Sequence, residues 1–102
     1  MIDEQREALT RFLAETVMGY KVDGYDIAGA HCCNGLLWSP TRDLNHAFEL
    51  LGKEYYIKME YGDSTACCTV PHGSAYSHEF ADTPALAICL AVAKAHGWRD
   101  GE

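Results

Sequence analysis

The chain has 102 residues, 48% of them hydrophobic, and a formal net charge of −7 from 8 Lys+Arg against 15 Asp+Glu. That length points to one domain around one core, and the apolar fraction excludes a disordered chain. The lack of a basic cluster excludes a general binder of duplex nucleic acid or of an acidic membrane surface, because both need phosphate-neutralising cations.

The first element expected is a helix from Asp3 to Met18. Asp3 serves as its cap, acids crowd its first turn, and Gly19 ends it. Leu9, Phe12, Leu13, Thr16 and Val17 fall at helical spacing, with Glu4, Glu7, Arg11 and Glu15 on the wetter side. Residues 20–30 are rich in Gly and Asp and read as loop, with short extended pieces at Tyr20-Lys21-Val22 and Tyr25-Asp26-Ile27. His31-Cys32-Cys33-Asn34-Gly35-Leu36-Leu37-Trp38 is compatible with a hairpin turning at Asn34-Gly35, or with a single strand preceded by loop. Ser39 to Asp43 is a turn that opens a second helix over Asp43 to Leu51, with Leu44, Ala47, Phe48 and Leu51 as its apolar stripe and Gly52 as its stop.

Three strands follow at Glu54–Tyr61, Thr65–Val70 and Ala75–Phe80, separated by Gly62-Asp63-Ser64 and Pro71-His72-Gly73-Ser74. They imply an antiparallel meander. The closing helix carries the strongest local signals. Thr83 is its N-cap, Pro84 its first residue, and Gly97 its stop, with Lys94 and His96 in the last turn. The run Ala85 to Ala93 contains no charge, so this helix has no polar stripe and belongs inside the domain. At about 20 Å it is too short to cross a bilayer. Helices on both faces of a small, mainly antiparallel sheet make the expected fold a three-layer α/β/α sandwich of the α+β type.

Five cysteines are present: Cys32, Cys33, Cys67, Cys68 and Cys89. The number is odd, and Met1 to Glu7 is polar and acidic with no apolar core of a signal peptide. The expectation is a cytoplasmic protein with free thiols. Adjacent cysteines do not match the Cys-x2–4-Cys spacing of structural zinc sites, so no metal site is assigned, even with His31 and His72 nearby.

Three segments carry a family resemblance. Ala14-Glu15-Thr16-Val17-Met18-Gly19-Tyr20 resembles the Ala-Glu-x-Val-Met-Gly-aromatic segment of the phage ABA sandwich domain family. Trp38 to Ala47 is similar to that family's Ser/Thr-Asp turn into an Asn-x-Ala helix. Thr83 to Cys89 is similar to its closing Pro-Leu-Ala-Ile-Cys helix. The chain departs from the family pattern at Leu90, where Arg is frequent, and at Phe48, where Trp is common. The resemblance implies a small phage or prophage protein with helices either side of a sheet, and it transfers no site residue.

No Ser-His-Asp, His-Glu-x-x-His, Gly-x-Gly-x-x-Gly or Walker pattern is present, so no catalytic residue and no cofactor are assigned, although His31, His46, His72 and His78 are the histidines to test. One stretch suits a ligand. The turn into the second helix offers backbone N–H groups and a partial positive charge, Arg42 adds a fork that matches phosphate, and Trp38 and Tyr56 are candidate stacking platforms. The candidate ligand-binding set is Tyr20, Trp38, Ser39, Thr41, Arg42, Asn45 and Tyr56. The plainer reading is that Asp43 caps the helix and occupies the same N–H groups, and that Met18-Gly19-Tyr20 is simply a helix stop.

Two functional readings follow, with a small enzyme as a third. One is a non-catalytic phage protein that sequesters a host signalling nucleotide, forming its pockets between subunits of a homo-oligomer. The other is an acidic inhibitor that occupies a basic host protein surface.

Overall fold

The computed structural model describes residues 3–26, 28–32, 35–51, 58–61, 66–72 and 75–98. Its element order is helix α1 (Asp3–Phe12), a π-helical segment (Leu13–Met18), strands β1 (Val22–Asp26), β2 (Gly29–Cys32) and β3 (Leu37–Trp38), helix α2 (Leu44–Leu51), strands β4 (Lys58–Tyr61), β5 (Ala66–His72) and β6 (Ala75–Ala81), and helix α3 (Pro84–Ala95). The fold is α+β, with antiparallel strands and helices packed against them. The strands divide into two three-stranded sheets, ordered β1-β2-β3 and β4-β5-β6.

The closing helix has the caps that its sequence signals. The Thr83 hydroxyl accepts from the Leu86 N–H at 3.2 Å, with Pro84 at the first helical position. At the other end Gly97 adopts φ +96°, Trp98 N–H reaches Ala93 O at 2.9 Å, and Gly97 N–H reaches Lys94 O at 3.1 Å. These two bonds form a Schellman stop, which requires a left-handed residue. Ala85, Ala87, Ile88, Cys89, Ala91, Val92 and Ala93 are all buried, so the charge-free run is enclosed over most of its circumference, with Leu86 and Leu90 only partly buried along one side. The helix lies against β5 and β6 and against α2 and α1. Burying side chains such as Ile88 and Val92 contributes about 1.5–3 kcal/mol each, and the small alanines between them let the neighbouring elements approach closely. Lys94, in the last turn of α3, pairs with Glu79 of β6.

The first helix changes pitch partway along. Beyond Phe12 the chain winds as a π-helix to Met18, Gly19 (φ +74°) stops it, and Tyr20 N–H reaches back six residues to Ala14 O at 2.8 Å. The equivalent bond after α3 spans five residues, so the wider step matches the wider helix. Leu9, Leu13 and Ala14 are buried, with Phe12 and Val17 packed against them, whereas Thr16 is exposed.

Two expectations are revised, and one that was open between two readings is decided. The Gly/Asp-rich segment contains β1 rather than only loop. It pairs with β2 through a register irregularity between Val22 and Gly24. Glycine is needed at position 29 because its φ is +131° and an added Cβ would lie 2.7 Å from both Ser39 Cβ and Trp38 O. The segment after it is the hairpin: β2 and β3 pair antiparallel, with Gly35 N–H on Cys32 O at 3.0 Å, while Cys33 and Asn34 fall outside the described residues. The α2 stripe is displaced. Ala47 and Leu50 are the buried pair, and Leu44 and Phe48 are 36% and 47% exposed. The reason is that α3 selects the face of α2 that is covered, and the helix's own apolar spacing admits two neighbouring faces.

On β5 both Cys67 and Cys68 are buried, at 3% and 0% exposure. Adjacent strand residues point to opposite faces. Cys68 belongs to the core shared with α3, while Cys67 stands opposite Phe80, which is 65% exposed.

Candidate functional site

Three separate parts of the chain meet at a pocket of about 360 Å³, lined by Arg6, Thr41, Arg42, Asp82, Thr83 and Leu86. Arg6 comes from the second turn of α1. Thr41 and Arg42 come from the turn before α2. Asp82, Thr83 and Leu86 come from the start of α3.

The turn is built by its own backbone. Ser39 O accepts from Arg42 N–H at 3.2 Å and from Asp43 N–H at 2.8 Å. Ser39 N–H donates to His46 Nδ1 at 2.8 Å. That bond leaves the ring proton on Nε2, which faces Asp43 Oδ2 at 3.8 Å. Asp43 caps α2 by accepting from Asn45 N–H at 2.9 Å through Oδ1. The α2 terminus is thus occupied by its own cap, and the pocket lies beside the turn rather than at the helix end.

Arg6 ties α1 to this turn, its Nη1 donating to Thr41 O at 3.3 Å across 35 residues of sequence. Its Nε is buried and has no hydrogen-bond partner among the described residues, and the same holds for Thr41 Oγ1, in a residue only 2% exposed. A buried polar atom without a partner costs about 1–3 kcal/mol, and native structures contain few of them. Both atoms belong to residues that line the pocket, and both are able to donate, since Arg Nε carries a proton and a threonine hydroxyl donates as readily as it accepts. Thr10 Oγ1, one turn along α1 from Arg6, is a third buried atom of this kind and does not line the pocket. Among the described residues, the lining carries the guanidinium side chains of Arg6 and Arg42 and the carboxylate of Asp82.

The residues singled out from the sequence separate into groups. Thr41 and Arg42 line the pocket. Trp38 is fully buried, so its ring offers no stacking face. Its Nε1 donates to Glu49 Oε2 at 2.9 Å, and Tyr20 meets it edge-on, with centroids 5.6 Å apart and planes at 88°. Tyr20 belongs to this packing. Partial burial, then the nearby Glu49 and Cys32, push its hydroxyl above the ordinary tyrosine range. Ser39 is buried and spends its backbone on the turn, and Asn45 is exposed on α2. Tyr56 lies outside the described residues. Arg6 and Asp82 have no sequence signal: one is an ordinary charge on an amphipathic helix, the other an ordinary residue before a cap.

The other reactive side chains do not gather here. His31 Nε2 pairs with Asp26 Oδ2 at 2.7 Å at an exposed corner between β1 and β2. The His31 bond, then the Ala28 N–H at 2.8 Å, hold the Asp26 carboxyl below its usual range. Burial pushes the Cys89 thiol far up, against the opposing charge of Arg6, and burial likewise raises Cys32 beside Asp23. Cys32, Cys67, Cys68 and Cys89 are free and buried. Among the described residues no group of three or more His, Cys, Asp or Glu side chains is placed to hold a metal, and no helix is long and apolar enough to cross a membrane.

No protein-family model matches the chain, and no curated protein sequence matches it. Among solved structures, it is similar to a phage protein from Bacillus cereus ATCC 14579, with a TM-score of 0.69 at 17% identity, covering 88% of this chain and 90% of that one. At that identity the likeness is one of fold.

Proposed function

We propose that the chain is a non-catalytic phage accessory protein that sequesters a small host signalling nucleotide, and so blunts a defence response in the host cytoplasm. The observation that carries this reading is the pocket at Arg6, Thr41 and Arg42, where the buried Arg6 Nε and Thr41 Oγ1 have no hydrogen-bond partner among the described residues. Such donors suit phosphate oxygens, and a guanidinium fork matches phosphate geometry. The pocket volume falls at the low end of the ~300–1,000 Å³ typical of small-molecule sites, so it takes one nucleotide unit. A cyclic di- or trinucleotide would be shared between copies of the chain in a homo-oligomer. The fold it shares with a phage protein supports the phage context.

Calorimetry against cyclic di- and trinucleotides and ADP-ribose derivatives tests the reading. Saturable binding that is weakened at least tenfold by Arg6→Gln supports it; no heat across that set retires it.

A second reading is favoured by the surface. The net charge is −7, and Leu44 and Phe48 are exposed one turn apart on α2. A net-acidic chain with exposed apolar side chains suits a basic host protein. A partner captured from host lysate at low salt, released at high salt and lost on Phe48→Ser would favour it over sequestration.

A further inference from the structure

We draw no further inference here: the strongest candidate, the outer face of α2 where Leu44 and Phe48 stand exposed one turn apart, is an apolar surface for which nothing in the structure shows what covers it.

Discussion

Replacing Thr41 by Val tests the feature on which the pocket rests. The substitution keeps the β-branched shape and exchanges one buried hydroxyl for a methyl. The Thr41 carbonyl, which receives Arg6 Nη1 at 3.3 Å, is untouched. Because Thr41 Oγ1 is buried without a hydrogen-bond partner among the described residues, the free protein carries its desolvation cost, about 1–3 kcal/mol. Removing it should stabilise the free protein by about 1 kcal/mol or more, which for a domain of this size raises Tm by about 4–8 °C per kcal/mol. The ligand-bound protein loses in turn. A hydrogen bond to a charged group contributes about 1.5–3 kcal/mol, so affinity for the nucleotide bound by wild type in the calorimetric set should fall roughly 10- to 100-fold.

Differential scanning calorimetry and titration calorimetry on the same samples read both effects. Thr10→Val is the internal control. Thr10 Oγ1 is also buried without a partner, in a residue with no exposure, but it does not line the pocket. It should stabilise the protein and leave binding unchanged. A Thr41→Val protein that melts below wild type would show that the hydroxyl is already hydrogen-bonded. A stabilised protein that binds unchanged would show that the hydroxyl does not meet the ligand. Either result removes the support for a preorganised donor set.

Gly29→Ala should destabilise by more than about 2 kcal/mol, from a left-handed backbone and a Cβ that has no room, whereas Gly24→Ala, with nothing within 4 Å, should change Tm by little. For Asp26, the folded carboxyl titrates below its ordinary value of 3.8, so its contribution is present above that pH and is lost as pH falls through the folded value; acid melts of wild type should therefore lose stability there more steeply than those of Asp26→Asn. Cys89 and Cys32, both buried and both with raised thiols, should resist iodoacetamide at pH 8 in the folded protein and react fully in guanidinium, as followed by mass spectrometry. Rapid labelling of Cys89 under native conditions would contradict its place in the core.

The parts of the fold legible in the sequence are those decided within a few residues. Thr83-Pro84 starts α3 and Gly97 stops it through bonds that span three to five positions, and the charge-free run between them has no alternative to burial. Strands β1 and β2 are obscured because their glycines answer to tertiary demands. Gly24 sits at a register irregularity, and Gly29 makes room for Ser39 and the Trp38 carbonyl, which come from the far side of a hairpin. The α2 face is legible only in part for a related reason: of the expected stripe Ala47 is buried but Leu44 and Phe48 are exposed, because Leu44-Phe48 and Ala47-Leu50 both have helical spacing and only the position of α3 decides between them. Trp38 resembles an exposed platform only as long as Tyr20 and Glu49 are not known to flank it.

The pocket follows from the same logic at longer range. Within the turn, Thr41 and Arg42 are visible as a helix entry and nothing more. They become part of a site because α3 passes through the middle of the fold, bringing its own start, at Asp82 and Thr83, to the side where α1 presents Arg6. Arg6 is drawn in by a backbone bond to Thr41 that uses Nη1 and leaves Nε facing no partner among the described residues. A guanidinium held at one end with another donor unsatisfied is poorly explained by stability, since a longer apolar side chain would fill the space without the cost. On the proposed reading, a ligand that enters the pocket accounts for keeping a guanidinium there. Arg6→Met is the substitution that separates the two accounts: gain in Tm with loss of binding means Arg6 is retained for a ligand, whereas loss of Tm with binding intact means it is retained to hold α1 against the turn.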